Sequence, residues 1–174
     1  FLVEARGKYF YLDLPEDFES FINGLSKSVR QDARKVLRSC ENEFKFEVVE
    51  KGILGDQLSQ AIDDLMYLHA QVFPKDSAML PHKENLTKYL EKAFSDSAIF
   101  FTRAREISTG KIVATDLFAK SDATVGLIQN GRIVDPKYSK IGTWILLKTI
   151  EWSIEEKMQR LEFLFGDQEY KRRL

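Results

Sequence analysis

The second half of the chain constrains the fold most, because its hydrophobic period changes near Ala98. Three consecutive segments there are rich in β-branched and aromatic residues and are separated by turn residues: 98–107, 112–119 and 124–134. Apolar residues at helical spacing follow over 141–158, and 161–165 is a short apolar strand pattern. Strands joined by short turns favour an antiparallel meander. The helix and one more strand follow it in the chain.

The first half has mainly helical patterns. Its predicted elements are a strand over 8–14, a helix over 16–25, a helix behind a capping box at 28–31, a strand over 44–48, a helix capped by Asp56 and a helix over 86–94. This order of elements favours an α/β or α+β sheet that is covered by helices. No repeat or linker divides the 174 residues, and we expect one domain over 1–174.

Charge and cysteine content exclude several classes of function. The net charge of −1 provides no overall field for nucleic acid or an anionic membrane. The single cysteine, Cys40, excludes an internal disulfide and a cysteine-based zinc site. No apolar run approaches the length of a membrane span. We therefore expect a cytoplasmic protein without stable membrane insertion, and the sequence does not indicate its oligomeric state.

The loop before the long helix is a candidate anion site. A strand that leads through a turn to a helix N-terminus presents free N–H groups to a phosphate. Gly142 permits close approach of the backbone, and Lys137 and Lys140 add positive charge. An ordinary strand-to-helix loop with two solvated lysines has the same pattern, so the residues alone leave both interpretations open.

A basic stripe on the second helix also has two interpretations. Lys27, Arg30, Arg34 and Arg38 share one helical face, opposite an apolar face that ends at Cys40. The stripe is either an anion-binding surface or a solvated face. No aromatic residues alternate with these cations, as they do in many nucleic-acid-binding surfaces.

The remaining reactive residue types give no site of their own. His69 lies on an apolar helical stripe and is expected to be a hydrogen-bonded, part-buried residue rather than a base. His69 and His82 have no cysteine or carboxylate at ligand spacing, so no metal site is predicted. Cys40 lies on a core stripe, and no glycine-flanked serine follows a strand.

The segment 163–171, Phe-Leu-Phe-Gly-Asp-Gln-Glu-Tyr-Lys, is the most specific motif. With the preceding helix and its loop, it resembles the GNAT acetyltransferases associated with bacterial cellulose and exopolysaccharide biosynthesis, which are related to the Fem-type aminoacyltransferases. In that family a strand leads into Gly-Asp/Glu-x-x-Tyr-Lys, matched here by Gly166, Asp167, Tyr170 and Lys171. The resemblance covers nearly the whole chain, and the superfamily normally continues beyond this point, so the chain is expected to be a fragment without the C-terminal elements.

The resemblance implies a GNAT-like α/β fold with a mixed, largely antiparallel sheet, and acyl-coenzyme A, acetyl-CoA above all, as co-substrate without a metal. The strand over 127–133 would offer backbone groups to the pantetheine arm. The residues expected to bind the cofactor are Leu127, Gln129, Ile133, Lys137, Ser139, Lys140, Ile141, Gly142 and Thr143. Tyr170 is the expected acid and Asp167 or Glu169 the base, while Lys171 would bind an anionic substrate or orient Asp167.

The implied function is transfer of an acyl group, acetyl above all, to an amine or hydroxyl acceptor, such as a small molecule, a sugar or a cell-envelope or polysaccharide precursor. A Fem-type enzyme that uses aminoacyl-tRNA is the first alternative, with the stripe of Lys27 to Arg38 as its only candidate groove. A non-catalytic binding module is the second, because 137–142 keeps only the last glycine, Gly142, of the superfamily's pyrophosphate motif. Nucleic acid is expected as a partner only under the tRNA alternative.

Overall fold

A mixed sheet of six strands organises the computed structural model, which describes residues 9–52, 55–73 and 82–165. Its helices and strands, in chain order, are β1 (Tyr9–Asp13), α1 (Phe18–Gly24), α2 (Lys27–Cys40), β2 (Phe44–Val49), α3 (Leu58–Val72), α4 (Lys83–Ser95), β3 (Ile99–Glu106), β4 (Ile112–Lys120), β5 (Thr124–Arg132), α5 (Ile141–Glu155) and β6 (Arg160–Phe165). Each predicted strand and helix is present, with ends that differ by a few residues.

The sheet has the strand order β1-β6-β5-β4-β3-β2. The predicted meander of β3, β4 and β5 is confirmed, because each pairs antiparallel with the next. Strand β2 adds antiparallel to β3, and β1 adds antiparallel to β6. Among the strands that the structure describes, only β5 and β6 pair in parallel, as expected of two strands joined through the crossover helix α5. The α/β fold with a largely antiparallel sheet is therefore confirmed.

Helices cover both faces of the sheet, and the alternation of side chains along the strands explains why. Phe100 and Phe118 pack on one face with α1, α2 and α5, which we call the α5 face. Phe101 and Leu117, one position away on the same strands, pack on the other face with α3 and α4, which we call the α3 face. The meander strands are buried on both faces and carry apolar residues at successive positions.

Helix starts differ from the predicted capping. Helix α2 begins at Lys27 with Ser26 at its N-cap, so the capping box predicted at Ser28 is wrong; Ser28 lies in the first turn. Asp56 lies in a short 3-10 turn, and Gln57 is the residue at the N-cap of α3. The side chain of Asp17 caps α1, accepting a hydrogen bond from the Ser20 N–H at 2.8 Å.

A buried ion cluster joins β2 and β3 to α3 on the α3 face. The side chain of Arg103 is fully buried and donates to Glu47 Oε2 at 2.9 Å. Arg105 donates to the same carboxylate through Nε at 2.8 Å. Burial alone would raise the pKa of Glu47, but the hydrogen bond and charge of Arg105, with the charge of Arg103, outweigh it and lower that pKa. Along β2, Phe44, Phe46 and Val48 alternate with Lys45 and Glu47, a half-buried strand pattern in which Glu47 would face water. Its two arginine partners explain why it is buried instead.

Candidate functional site

Strands β5 and β6 separate after three residue pairs. Their parallel pairing runs from Thr124 with Arg160 to Gly126 with Glu162. Beyond this point β5 continues against β4, whereas β6 continues against β1. One edge of β5 is therefore open from about Leu127 to Arg132, which is where the sequence predicts backbone contacts to a pantetheine arm.

A β-bulge lies at the start of this open edge. Phe118 of β4 pairs with Leu127, but the preceding Leu117 pairs with Gln129, so Ile128 is the extra residue on β5. A bulge leaves its extra residue outside the ladder and increases the local twist. It accounts for the divergence of β5 from β6 and leaves backbone groups at the opening available to a ligand.

The opening leads into a cleft of about 540 Å³ on the α5 face. Its floor is formed by β4 and β5, one wall by the start of α5, and its roof by α2. The residues that line it are Val29, Asp32, Ala33, Lys35, Val36, Ala114, Asp116, Leu127, Asn130, Gly131, Arg132, Ser139, Lys140, Gly142, Thr143, Ile145, Leu146 and Leu147. A volume of this size is ordinary for a small-molecule or cofactor site.

The end of the cleft next to α5 is positively charged. The Arg132 guanidinium lies over Gly142, and its Nη1 is 3.5 Å from the position that a Cβ on Gly142 would occupy. Lys140 precedes the helix, and Lys35 reaches the same cleft from α2. These side chains and the free N–H groups at the start of α5 form a site suited to phosphate groups.

The floor of the cleft carries one buried acid, Asp116 of β4. This residue is 7% exposed and lies opposite Asn130 in the sheet register. Burial raises the pKa of Asp116 to about 7, and the charge of Arg132 only partly opposes the increase. Near neutral pH this carboxyl group is therefore partly protonated.

On the α3 face, β5 is held close to α3 at Gly131. A Cβ on Gly131 would lie 2.5 Å from the backbone nitrogen of His69. The imidazole Nδ1 of His69 is 2.9 Å from the Asn130 carbonyl oxygen. Because the carbonyl accepts, Nδ1 carries the proton. The expected hydrogen bond of His69 is confirmed, but the residue is buried, at 4% exposed, rather than part-buried.

Five of the residues predicted to bind the cofactor line the cleft: Leu127, Ser139, Lys140, Gly142 and Thr143. The other four have different surroundings. Lys137 hydrogen-bonds Glu106 and lowers the pKa of that carboxyl group. Ile141 is 1% exposed in a core cluster that Ile133 also contacts, and Gln129 pairs with Leu117 in the sheet.

The predicted catalytic residues Asp167, Glu169, Tyr170 and Lys171 lie outside the described residues. The strand that precedes them, β6, is described to Phe165. Their assignment stays a prediction.

Two arginines of the basic stripe make contacts with α1. Arg30 Nη1 donates to the Asn23 carbonyl oxygen at 2.8 Å, and Arg34 pairs with Glu19. These contacts hold α1 beside α2. Lys35, one position outside the predicted stripe, is the α2 cation that lines the cleft.

Cys40 is buried in the core, where burial raises the pKa of its thiol above the ordinary value, so it is poorly suited to act as a nucleophile. Within the described part of the chain, no group of histidine, cysteine and carboxylate side chains is arranged to hold a metal ion. No helix of that same part is long and apolar enough to cross a membrane.

Sequence analysis missed five polar residues of the cleft: Asp32 and Lys35 on α2, and Asp116, Asn130 and Arg132 on the sheet. Asp116 is a charged residue inside an otherwise buried strand pattern, and that exception was the available signal. Asn130 and Arg132 are two positions apart on β5 and therefore lie on the same face of the sheet. Only the packing of α5 shows that this face borders a cleft.

Solved structures with the same fold include several transferases. FemX matches with a TM-score of 0.66 and 7% identity over 92% of this chain and 53% of that chain. An aminoglycoside acetyltransferase from an uncultured soil metagenomic sample, solved with trehalose, matches with a TM-score of 0.54 and 17% identity. The match covers 74% of this chain and 81% of that chain. A predicted acetyltransferase from Clostridium acetobutylicum, solved with acetyl-CoA, matches with a TM-score of 0.51 and 12% identity. The match covers 74% of this chain and 84% of that chain.

The first solved structures that match are longer than this chain, which spans 46% to 53% of their length. A search of curated protein sequences finds no match. A family model described as "Acetyltransferase (GNAT) domain" matches residues 27–172, which is most of the chain. The chain belongs to the GNAT acetyltransferase domain family.

Proposed function

We propose that this protein transfers an acyl group from acyl-coenzyme A, acetyl-CoA above all, to an amine or hydroxyl acceptor. The observation that carries the proposal is the continuity of the cleft. It joins a cationic helix N-terminus, at Arg132 and Gly142, to the open edge of β5 at Leu127. A long ligand with phosphates at one end and a reactive thioester at the other fits this order of groups.

At the α5 end, the helix N–H groups, Arg132 and Lys140 would hold the pyrophosphate. The proximity of the Arg132 guanidinium to Gly142, in the first turn of α5, supports this placement. From this point the pantetheine arm would follow the open edge of β5, where backbone groups are available for hydrogen bonds. The bound cofactor supplies the activated acyl group, and the protein orients it beside the bulge at Ile128.

The residues after β6 would complete the reaction centre. Tyr170 would donate a proton to the departing thiolate, and Asp167 or Glu169 would accept one from the acceptor, directly or through water. Lys171 would bind an anionic substrate or orient Asp167. Tyr170→Phe should then lower kcat about 100-fold while the Kd for acetyl-CoA changes little. An unchanged kcat would exclude Tyr170 as the acid.

Calorimetry with acetyl-CoA tests the donor. Binding in the micromolar range, about −8 kcal/mol, is expected. Lys111→Met, on the exposed turn between β3 and β4, is a control that should leave the affinity unchanged. Absence of binding by the unmutated protein would overturn the proposal.

The acceptor class follows from the family resemblance in the sequence, which points to a sugar or a cell-envelope or polysaccharide precursor. The similarity to an aminoglycoside acetyltransferase solved with trehalose supports an acceptor of the sugar type. Measuring release of free coenzyme A thiol with amino sugars and with neutral sugars tests this assignment.

A Fem-type transferase that uses aminoacyl-tRNA is the second candidate, favoured by the similarity to FemX. It would need a basic surface, and the ion pair of Arg34 with Glu19 of α1 reduces the positive charge that α2 can offer. This candidate predicts tRNA binding that weakens steeply with salt and no binding of acetyl-CoA. A protein that binds neither ligand would be a non-catalytic module.

A further inference from the structure

Lys35 is the cation of the cleft that the proposed pyrophosphate contacts leave unused. Helix α2 carries five cationic residues, and Lys35 is the one among them that lines the cleft. Arg30 and Arg34 of the same helix are paired with Asn23 and Glu19 of α1. Lys35, in contrast, is exposed and has no hydrogen-bonding or ion-pair partner among the described residues. Its charge is therefore available to a ligand.

The position of Lys35 follows from how α2 meets α5. Lys140 Nζ, just before α5, donates a hydrogen bond to Ser39 Oγ in the last turn of α2 at 3.3 Å. Lys35 and Ser39 are four residues apart, so they share one face of α2, with Cβ atoms about 5–6 Å apart. The Lys35 side chain therefore begins about one helical turn from the point where Lys140 contacts α2.

Asp32 restricts where on α2 an anion can bind. It also lines the cleft, three residues before Lys35 and on the side away from Ser39. Its negative charge repels an anion from the N-terminal half of α2. An anion beside Lys35 is therefore favoured toward the C-terminal end of α2, which is the end that contacts Lys140.

Coenzyme A has one phosphate more than the pyrophosphate contacts account for. Its third phosphate is a monoester on the 3′-oxygen of the ribose, with a charge of about −1.5 to −2 near neutral pH. The ribose separates this monoester from the pyrophosphate. When Arg132, Lys140 and the N–H groups of α5 hold the pyrophosphate, the monoester still lacks a cation, and Lys35 lies about one helical turn away.

We propose that Lys35 binds the 3′-phosphate of coenzyme A, so that α2 makes the cleft selective for donors that carry this phosphate. The inference rests on the proposed acyl transfer and names a part of the donor that the cleft recognises. Helix α2 is held by α1 and by Lys140, so the cation is positioned before the ligand arrives. Free acyl-coenzyme A is then preferred to the acyl-phosphopantetheine of carrier proteins, which lacks the adenosine and its phosphate.

Two ligands test the contact without any turnover. Coenzyme A and dephospho-coenzyme A differ only in the 3′-phosphate, and calorimetry measures both affinities. The unmutated protein should bind coenzyme A about tenfold more tightly, as expected of one charge-assisted contact. Lys35→Met keeps the length of the side chain without its charge and should reduce this preference below about twofold by weakening coenzyme A binding alone.

Matched variants separate this contact from a general effect of charge. Lys35→Arg should retain the preference, because a guanidinium group also binds phosphate. Lys88→Met removes another exposed lysine, on α4 at the opposite face of the sheet, and should retain it as well. An equal loss of affinity for both ligands in Lys35→Met would show a structural effect and overturn the contact.

Phosphorus NMR identifies which phosphate is bound. The monoester and the pyrophosphate of coenzyme A give separate signals, and both should shift when the ligand binds the unmutated protein. In Lys35→Met the pyrophosphate signals should still shift, whereas the monoester signal should stay near its position in the free ligand. A monoester signal that shifts equally in both proteins would contradict the contact.

The same ligands distinguish failure of this inference from failure of the proposed function. Equal binding of coenzyme A and dephospho-coenzyme A by the unmutated protein overturns the contact and leaves the proposed function standing. A preference for coenzyme A that persists in Lys35→Met also overturns the contact. If the unmutated protein binds neither ligand, the donor assignment itself fails, and the inference fails with it.

Discussion

Gly131 lies so close to His69 that a Cβ added to it would be 2.5 Å from the His69 backbone nitrogen. The carbonyl carbon of Leu68 would be 2.7 Å away. These are backbone atoms of α3, which cannot move aside by rotating a side chain. The glycine therefore sets the distance between α3 and β5 and permits the hydrogen bond between His69 and Asn130.

Gly131→Ala should destabilise the fold by about 1–3 kcal/mol, because α3 must shift away from the sheet. Urea denaturation measures the loss. Gly24→Ala is the matched control: no atom lies within 4 Å of its added Cβ, and alanine suits the last residue of α1. A Gly131→Ala protein as stable as the control would contradict the close packing.

Asp116→Asn should raise the stability of the protein at about pH 8. The pKa of Asp116 is raised from 3.8 to about 7 in the fold, so its stabilising contribution is present below about pH 4 and is lost as the pH rises through 7. This increase in pKa corresponds to at most about 4 kcal/mol of lost stability. Thermal melts of both proteins should differ at about pH 8 and converge at about pH 4. Equal melting temperatures at the higher pH would show that the carboxyl group ionises without cost.

Glu47→Gln should destabilise the protein by about 3–5 kcal/mol, because it leaves the fully buried Arg103 without its main charge partner. The pKa of Glu47 is lowered in the fold, so its contribution is present above its ordinary pKa and is lost as the pH falls through the folded value. The gap between the two proteins should therefore narrow in acid. Asp96→Asn removes the exposed pair with Lys92 and should change stability little. Denaturation curves over a range of pH measure both effects.

Arg132→Met should weaken acetyl-CoA binding about tenfold, because it removes the guanidinium beside the first turn of α5. Lys137→Met should change the affinity less than about twofold, since Lys137 is paired with Glu106. Calorimetry at low and moderate salt measures both, and the effect of Arg132 should decrease with salt. A larger loss of acetyl-CoA affinity in Lys137→Met would support the cofactor-binding role predicted for Lys137 in the sequence analysis.

Much of the fold was predictable because it depends on local patterns. Alternation along 98–134 indicates three strands, and the spacing of Trp144, Leu147, Ile150 and Ile154 indicates α5. Helix capping was less predictable: Ser26 and Ser28 are equally good caps by residue type, and the path of the chain from α1 selects Ser26.

The candidate site was only partly predictable, because it forms where α2 packs over three elements, β4, β5 and α5, that lie far from it in the chain. The loop 139–143 was found from its glycine and lysine beside a helix start. Nothing local shows that Lys137 faces Glu106, or that Arg132 lies over Gly142. These relations depend on which strands are neighbours and on which face each helix covers.

The sequence by itself determined the order of strands and helices and, through the segment 163–171, the resemblance to GNAT acetyltransferases. Hydrophobic period and a short motif are local properties, so a single sequence carries them. Only the tertiary structure decided where β5 parts from β6 and that Asp116 lies buried in the cleft. Both depend on the register between β4 and β5 and on the packing of α2 and α5 over the sheet, which bring together residues far apart in the chain.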